Sequence, residues 1–469
     1  MNKSDTKFLF AVVVLISLLV VQYGCLEKVA EDLPPDYSGE TIPPAPVWAR
    51  NGTLYQVFPR VYTQEGTFRA LQQKLDYIDS LQVDIIWLLP IYPIGEKGRK
   101  GTLGSPFAIR DFRAVNPEYG TKEDFRDLVN AIHARGMHVI IGMVPNHAAN
   151  DNVLMKAHPD WFMRDAQGNF TREVADWSDI TDFNYDNEEL RRYMIETMKY
   201  WIREFDIDGY RCDVAGMVPV DFWEEALPEL HKLKSDIYLL AEWESPALLM
   251  AGFNSDYSWS EYHIMTAIRN GERRTVDIVS HIEDKQDRYP ENALPMRFLE
   301  NHDEQRSLKV FGPEAIEAYA TLLFTAPGIP LIYAGQEMGE TEKPSLFDKS
   351  QLNRDEADPS LLNLYKSLIT IRKKYDCFTT DTFYPLQTAS FKGSAGAFLR
   401  FGEEHQALVV CNLQNRPVEK LVVTMPDSLR KQLRPGEWKN YLNDGLISPA
   451  DSIYIEAMPG FTTWIYLAE

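Results

Sequence analysis

The chain of 469 residues is 45% hydrophobic and 12% aromatic, which is enough for one large core and one or two smaller units. Its formal charge of -21 excludes the basic surface with which proteins usually bind the phosphates of nucleic acids. An uncharged partner, such as a neutral carbohydrate, meets no such repulsion.

The amino terminus has the pattern of an export signal. Two lysines precede an apolar run over residues 8–21, which is short for a membrane span but typical of a signal peptide. The run ends at Gly24-Cys25, which resembles a bacterial lipoprotein processing site. We predict a signal peptide of the lipoprotein type over residues 1–25. The exported protein would meet the membrane only through a lipid on Cys25, facing the periplasm or the cell surface. Simple cleavage and retention as an uncleaved anchor are the alternatives.

Residues 26–47 are rich in proline and predict an extended tether. The other three cysteines, Cys212, Cys377 and Cys411, are odd in number and lack the short spacing of a metal site. We therefore expect no disulfide framework, and the core must stabilise the fold.

From Thr53 onward, apolar runs of strand length alternate with segments of helical periodicity. Near-continuous apolar strands are typical of a parallel sheet that is buried on both faces. The strand candidates are TLYQVFPRVY, VDIIWLLPI, HVIIGMVPN, GYRCDVA, IYLLAEW, MRFLEN and GIPLIYAGQE, with a weaker one at FNSDYSW. Eight strands with helices between them predict an α/β fold, a (β/α)8 TIM barrel over residues 48–376.

Two stretches depart from this alternation. A segment rich in Asp, Asn, Gly and aromatic residues follows the third strand, and it is too long for a plain loop. It predicts a short inserted subdomain over about residues 148–186. After the helix that starts at Ser360, short alternating runs such as ALVVCNL and TTWIYL predict antiparallel strands. We expect a C-terminal β-sandwich domain over residues 377–469.

Three of the apolar runs end in acidic residues: GYRCD with Asp213, YLLAEWE with Glu242, and MRFLENHDE with Asp303. The carboxyl ends of barrel strands face one mouth, so these carboxylates should converge there. Retaining glycoside hydrolysis needs one carboxylate as nucleophile and a second as acid and then base. Arg211, two residues before Asp213, should point the same way on the strand and could hold that Asp ionised.

Spacing alone leaves several roles open. Alternation puts Glu242 and Glu244 on one face of a strand, so either could be chemical. Asp303 likewise competes with Glu300 and Glu304. An isolated Arg-x-Asp is more often a buried structural ion pair, and histidines are more often hydrogen-bonding residues than catalysts.

Seven ordered motifs resemble those of glycoside hydrolase family 13, the α-amylase family. GMVPNH, GYRCDVAG, LLAEWE and FLENHDE follow the order of its four signature regions. GSPFAIRDFRAVNPEYGT, DWSDITDFNYDN and GIPLIYAGQEMG resemble three accessory regions. The likeness runs from about Thr53 to the carboxyl terminus and therefore covers nearly the whole mature chain.

The resemblance implies a role for each matching position. Asp213 matches the nucleophile, Glu242 the general acid/base and Asp303 the stabilising carboxylate. The residues that match the family's sugar-binding positions are Arg211, His147 and His302. Phe107 stands where the family usually has a Tyr stacked on the sugar, so an aromatic face remains without the hydroxyl. Trp243, directly after the acid/base, would line the leaving-group side.

The sequence also departs from the family's pattern. Gly142 replaces an Asp that is common in the first signature region, and Gly216-Met217 replace the Lys-His that often follows the nucleophile. A short inserted subdomain and Val214 after the nucleophile weakly favour small substrates, as similar features occur in family members that act on oligosaccharides or α-1,6 bonds.

The chemistry that the resemblance implies requires no cofactor, but a structural calcium ion is possible. Asn146 matches a family calcium ligand, and Asp179 or Asp182 could supply further oxygen atoms. Calcium takes about six to eight oxygen ligands, a set that the sequence alone does not assemble.

The leading hypothesis is an exported retaining α-glycoside hydrolase that cleaves α-1,4 bonds in starch-derived glucans or maltooligosaccharides through a covalent glycosyl-enzyme intermediate. One alternative is a glucanotransferase with the same site, which passes the glucosyl group to another sugar. Another is a surface glucan-binding protein without catalysis.

Overall fold

The computed structural model describes residues 36–352, 358–442 and 445–468. The predictions for residues 1–25, including lipidation of Cys25, lie outside these ranges and stay predictions. Within the described ranges, no helix is both long enough and apolar enough to cross a bilayer.

The helices and strands alternate through the first three quarters of the chain, and strands dominate the rest. The helices are α1 (Val47–Arg50), α2 (Pro59–Tyr62), α3 (Phe68–Gln72), α4 (Leu75–Ser80), α5 (Lys122–His133), α6 (Leu154–Ala157), α7 (Glu188–Phe205), α8 (Val220–Leu233), α9 (Pro246–Met250), α10 (Trp259–Arg269), α11 (Thr275–Arg288), α12 (Ser307–Phe311), α13 (Ile316–Thr325), α14 (Pro359–Lys374) and α15 (Asp427–Arg430). The barrel region contains strands β1 (Leu54–Val57), β2 (Ile85–Leu88), β3 (His138–Met143), β4 (His147–Ala149), β5 (Ile180–Asp182), β6 (Gly209–Cys212), β7 (Tyr238–Ala241), β8 (Ser255–Asp256), β9 (Met296–Arg297) and β10 (Ile329–Tyr333). The C-terminal strands are β11 (Tyr384–Ala389), β12 (Gly396–Phe401), β13 (Gln406–Asn412), β14 (Val418–Thr424), β15 (Trp438–Asn440), β16 (Leu446–Ile447), β17 (Ser452–Met458) and β18 (Thr462–Ala468).

Eight parallel strands form the barrel in the order β8-β7-β6-β3-β2-β1-β10-β9. A parallel bridge between Tyr257, directly after β8, and Met296 in β9 closes the ring. Every residue of β1, β2, β6 and β7 is buried, because side chains fill the barrel on one face and helices cover the other. The predicted barrel is confirmed, and its strands all deliver their carboxyl ends to one mouth.

The first predicted strand is shorter than its apolar run. The run TLYQVFPRVY forms a strand only up to Val57, and Pro59 starts helix α2. Proline fits the first position of a helix because its missing N–H would have no partner there. The weak candidate at FNSDYSW is the two-residue strand β8.

The segment after β3 contains a small antiparallel ribbon. Strands β4 and β5 pair so that His147 lies opposite Asp182. Residues 150–179 lie between the two strands, where the sequence predicts the inserted subdomain. The ribbon holds this segment beside the barrel mouth.

The C-terminal region is an eight-stranded antiparallel sheet in the order β16-β15-β18-β13-β12-β11-β14-β17, which confirms the predicted antiparallel domain. Alternating side chains on its central strands face two cores. Phe398 and Val409 belong to the main core with the barrel, whereas Leu399 and Leu408 belong to a second core within the domain. The sheet therefore packs against the barrel on one face and against its own outer strands on the other.

The part of the predicted tether that the structure describes lies against the barrel. Thr41 forms a parallel bridge with Glu291, and Ile42 is 3% exposed in the main core. Residues 36–47 therefore cover the loop that precedes β9.

Buried hydrogen bonds join helix α13 to the C-terminal sheet. The hydroxyl of Tyr319 donates to the carbonyl of Leu413 at 2.9 Å, and the hydroxyl of Thr463 donates to the carbonyl of Ala318 at 2.9 Å. Ala318 lies within the helix, whereas the carbonyl of Leu413 is outside any strand or helix and receives its hydrogen bond from Tyr319.

Tyr319→Phe should lower the free energy of unfolding by about 1–3 kcal/mol, because it leaves the buried Leu413 carbonyl without a donor while keeping the ring. Chemical denaturation of the variant and the wild type measures this difference. Tyr454→Phe is the matched control, since Tyr454 is 78% exposed. Equal stability of the two variants would contradict the proposed role of the bond.

Candidate active site

The three carboxylates predicted to converge do lie in one cavity at the barrel mouth. Asp213 directly follows β6, Glu242 directly follows β7, and Asp303 lies in the loop after β9. The cavity has a volume of 350 Å³. Its lining is Lys100, Ser105, Phe107, His147, Trp177, Asp179, Ile180, Asp213, Val214, Glu242, His302, Asp303, Leu346 and Phe347.

Arg211 lies beneath the carboxylates and contacts two of them. Its Nη1 donates to Asp213 Oδ1 at 2.5 Å, and its Nη2 forms an ion pair with Glu242 Oε1. Its Nε donates to the hydroxyl of Tyr257 at 3.0 Å. The guanidinium is fully buried and lies 5.4 Å from the ring centre of Trp87. An aromatic face attracts a cation, so Trp87 stabilises the charge of Arg211 and leaves its N–H groups free for the carboxylates.

The surroundings of Glu242 raise the pKa of its carboxyl group. Burial raises the pKa of Glu242 well above its ordinary value, and the charges of Asp213 and Asp303 raise it further, against the effect of Arg211. Glu242 Oε2 accepts a hydrogen bond from the N–H of Val214 at 2.6 Å. Burial therefore favours the protonated form of Glu242, while Asp213 is paired with Arg211 through Oδ1.

The structure separates Glu242 from Glu244, which alternation could not do. Glu244 points away from the cavity, where its Oε1 lies 2.9 Å from Lys285 Nζ and its Oε2 accepts from the N–H of Ser260 at 2.9 Å. Burial alone would raise the pKa of Glu244, but Lys285 and Ser260 lower it. Glu244 therefore belongs to a buried ion pair behind the loop that carries Trp243.

Asp303 is likewise separated from Glu300. Glu300 is fully buried, and its Oε1 accepts from Arg306 at 2.6 Å outside the cavity lining. The carboxyl group of Asp303 is 42% exposed in the cavity, and its Oδ2 lies 3.0 Å from Nε2 of His302. Glu304 does not line the cavity.

His302 is fixed in one tautomer by Gln56. The Oε1 of Gln56 accepts a hydrogen bond from the backbone N–H of His302 at 3.2 Å. The side-chain NH2 of Gln56 must therefore face Nδ1 of the His302 ring, at 2.9 Å. With Nδ1 as an acceptor, the proton lies on Nε2 and is donated to Asp303. Burial lowers the pKa of His302 to about 4, so the ring is neutral at neutral pH. Phe107 stacks on it with ring centres 5.3 Å apart.

His147 forms the opposite side of the cavity floor. Burial lowers its pKa, although the charges of Asp213 and Asp182 oppose that shift. The ring lies 5.3 Å from Trp177, and its Nδ1 is 3.3 Å from the amide nitrogen of Asn146. His147 is therefore a neutral hydrogen-bonding group, held by Asn146 and by a hydrogen bond to the backbone of Phe107.

Trp243 lies outside the cavity that the carboxylates share. It is 41% exposed, and a Cβ atom on Gly216 would meet its ring at 2.3 Å. The glycine that replaces the family's usual Lys-His pair thus makes room for this ring. Val214, between the nucleophile position and Gly216, has a φ of 37°, a left-handed conformation that is strained for a β-branched residue.

Sequence reasoning missed several residues at the site. Gln56 carried a signal, since it is the one polar side chain within the apolar strand β1. The others come from loops of irregular sequence, which no periodicity identifies: Lys100, Trp177, Leu346 and Phe347. Only the folded loops bring these side chains to the carboxylates.

The predicted calcium ligands do not form an ion-binding shell in the described structure. Asp179 Oδ1 lies 3.4 Å from the ammonium of Lys100, which would repel a dication, and Asp182 Oδ2 accepts from the N–H of Glu173 at 2.6 Å. Residues 36–352, 358–442 and 445–468 contain no group of three or more His, Cys, Asp and Glu side chains that could hold a metal. The ammonium of Lys100 beside Asp179 therefore disfavours a calcium ion at these residues.

Treatment with EDTA should leave the melting temperature of the purified protein unchanged, because the ammonium of Lys100 lies where Asp179 would bind the ion. Differential scanning fluorimetry with and without added calcium measures this. A clear rise in melting temperature with calcium would restore the calcium hypothesis.

Comparison with known proteins agrees with this architecture. The family model for the α-amylase catalytic domain matches residues 49–358. The noncanonic maltogenic α-amylase AmyB from Thermotoga neapolitana superposes with a TM-score of 0.82 and 33% identity, over 90% of this chain and 99% of its own. An α-amylase from Lactobacillus plantarum gives a TM-score of 0.79 and 32% identity, over 90% of this chain and 100% of its own.

The α-amylase MalA of Haloarcula japonica is 29% identical over 422 residues, which cover 86% of this chain and 61% of that protein. This chain therefore spans less than two thirds of the length of that relative. With the family model matched over the whole barrel and two solved structures over nearly all of both chains, the protein belongs to the α-amylase family, glycoside hydrolase family 13, and is an enzyme of that family.

Proposed function

We propose that this chain hydrolyses α-1,4-glucosidic bonds in starch-derived glucans or maltooligosaccharides and retains the configuration at the anomeric carbon. The observation that carries the proposal is that Asp213 and Glu242 meet on one buried guanidinium in the cavity. Both are paired with Arg211, and burial raises the pKa of Glu242 well above its ordinary value. A retaining glycosidase needs one ionised and one protonated carboxyl group in the same cavity.

In the first step, a carboxylate oxygen of Asp213 attacks the anomeric carbon while the proton of Glu242 passes to the glycosidic oxygen. The bond to the leaving group breaks, and a covalent glycosyl ester of Asp213 forms. In the second step, the ionised Glu242 takes a proton from water as the water oxygen attacks the same carbon. This releases the sugar, frees Asp213 and returns Glu242 to its acid form.

The remaining groups act on the ring that reacts. Asp303 carries negative charge next to His302 Nε2, and together they can bind adjacent hydroxyl groups and offset the positive charge of the transition state. Phe107 offers an apolar face to the sugar, and the neutral ring of His147 lines the same cavity. The names of the relatives, α-amylase and maltogenic α-amylase, support α-glucans as the substrate class.

Asp213→Ala should lower kcat/KM on maltoheptaose by on the order of 10⁴-fold or more, because no covalent intermediate can form, while the melting temperature stays close to that of the wild type. Chromatography of the products over time measures the rate. Asp236→Ala, at an exposed position outside the site, is the control. Substantial hydrolysis by the Asp213 variant would refute the assignment.

If the wild type makes longer oligosaccharides from maltoheptaose alone, the activity is glucanotransfer instead.

The pH profile of kcat/KM should keep its full value well above the ordinary glutamic acid pKa of about 4.3, because burial extends the protonated range of Glu242 upward. Activity should then fall as pH rises through the raised pKa and the acid loses its proton. The fluoride of α-maltosyl fluoride departs without a proton. The first step with this substrate should therefore show no such fall at alkaline pH. A decline of activity on maltoheptaose already at pH 4–5 would contradict a protonated Glu242.

A further inference from the structure

The turn after β6 connects the two carboxylates that share Arg211. It contains Val214, directly after Asp213, and continues as a short 3₁₀ helix over Ala215–Met217. The bond-breaking steps above use only side chains. The backbone of this turn has no part in them, although it contacts Glu242.

Two successive N–H groups of the turn donate to the same glutamate. The N–H of Val214 donates to Oε2 of Glu242 at 2.6 Å, and the N–H of Ala215 donates to the backbone carbonyl of Glu242 at 3.1 Å. Val214 is left-handed, with φ of 37° and ψ of 48°, and Ala215 begins the 3₁₀ helix. A left-handed residue next to a right-handed one brings successive N–H groups to one side of the backbone, a shape that binds anions in many proteins. The turn therefore holds both the side chain and the backbone of Glu242.

The left-handed conformation of Val214 is held by its surroundings. It is strained for a β-branched residue and persists only where neighbouring groups fix it. The carbonyl of Val214 accepts from the N–H of Met217 at 2.8 Å, and the carbonyl of Ala215 accepts from the indole N–H of the buried Trp223 at 3.0 Å. These bonds keep the N–H of Val214 directed at Glu242.

The N–H of Val214 acts on the charge of Glu242. Burial raises the pKa of this carboxyl group, whereas Arg211 and the hydrogen bond from Val214 lower it. A donor to a carboxylate stabilises the ionised form. Glu242 needs both forms in turn, since it gives a proton in the first step and takes one in the second. As the proton leaves, negative charge develops on a buried group whose donor is already in place.

We propose that Val214 is a positioning residue for the acid/base: its N–H fixes Oε2 of Glu242 relative to the nucleophile and stabilises the carboxylate that remains when the proton passes to the glycosidic oxygen. This inference rests on the proposed hydrolysis of α-glucans. Val214 is bonded covalently to Asp213, so one turn constrains the distance between the two carboxyl groups. Retaining glycosidases keep that distance at about 5–5.5 Å.

The test removes this N–H and keeps the side chain. Incorporation of α-hydroxyvaline in place of Val214 changes the backbone amide to an ester. The alkaline fall of kcat/KM on maltoheptaose should move upward by roughly 1–2 pH units, because the ionised form of Glu242 loses a donor. The plateau of kcat/KM should fall by roughly 10-fold, since a weaker acid transfers its proton more slowly. The kcat/KM on α-maltosyl fluoride should stay within about twofold, because the first step with this substrate needs no proton.

The matched control is the same ester at Val153, which is 51% exposed and whose N–H donates to the carbonyl of Arg110 at 3.0 Å. This control should keep the wild-type profile on both substrates. An unmoved alkaline fall in the Val214 ester, or an equal loss on both substrates, would overturn this inference and leave the proposed function intact. If the wild type does not hydrolyse maltoheptaose, the proposed function and this inference fail together.

Nuclear magnetic resonance of the wild type, with ¹⁵N-labelled valine, tests the same contact without the ester. The amide signal of Val214, assigned by its absence in Val214→Ala, should shift with pH at the midpoint of the alkaline fall in kcat/KM, because both report Glu242 in the free enzyme. The shift should be absent in Glu242→Gln, whose side chain does not titrate. A Val214 signal that does not respond to Glu242 would overturn the inference even if the ester variant does not fold.

Discussion

The guanidinium of Arg211 is buried against aromatic rings, so nearby carboxylates must balance its positive charge. The reacting groups of the site are arranged around this buried charge. Asp213 takes one nitrogen and Glu242 another, while Tyr257 accepts from Nε. The same Tyr257 forms the bridge that closes the barrel between β8 and β9. The geometry of the reacting groups is therefore coupled to closure of the sheet. Three acidic groups lie close to this one cation, and burial together with the charges of Asp213 and Asp303 raises the pKa of Glu242 well above its ordinary value.

The barrel strands and the irregular loops contribute different groups to the site. Strands β6 and β7 fix Asp213 and Glu242 directly at their carboxyl ends, where the parallel ladder leaves little freedom. The polar side chain of Gln56 on β1 holds His302 in one tautomer, so a strand residue that never touches the sugar sets which nitrogen donates to Asp303. The loops line the rest of the cavity, where Arg60 and Lys100 join segments that are distant in sequence. Strands thus position two of the three carboxylates, and loops shape the space around them.

Much of the fold follows from local pattern. The apolar runs predicted the parallel strands, and the alternating runs after Ser360 predicted the antiparallel domain, because burial on both faces and on one face leave different periodicities. The apolar pattern predicted too long a first strand, because a residue within the apolar run changes the backbone: Pro59 begins a helix. Convergence of Asp213, Glu242 and Asp303 followed from the rule that parallel strands share one mouth, and the cavity contains all three. Alternation along a strand could not separate Glu242 from Glu244. It predicts which face of the strand a side chain lies on, but not which charged residue it contacts.

The sequence by itself therefore determined the barrel, the C-terminal sheet, the ordered family motifs and the three acids at the strand ends. Tertiary structure decided which acid meets which charge: Lys285 draws Glu244 behind the site, Arg306 buries Glu300, and Arg211 gathers Asp213 and Glu242. It also decided the partner of Asp179, which the sequence offered as a calcium ligand and which the fold pairs with Lys100 in the cavity of the carboxylates. The physical reason is that periodicity reports only burial within one element, whereas ion pairs and cavities form between elements whose distance along the chain carries no local signal.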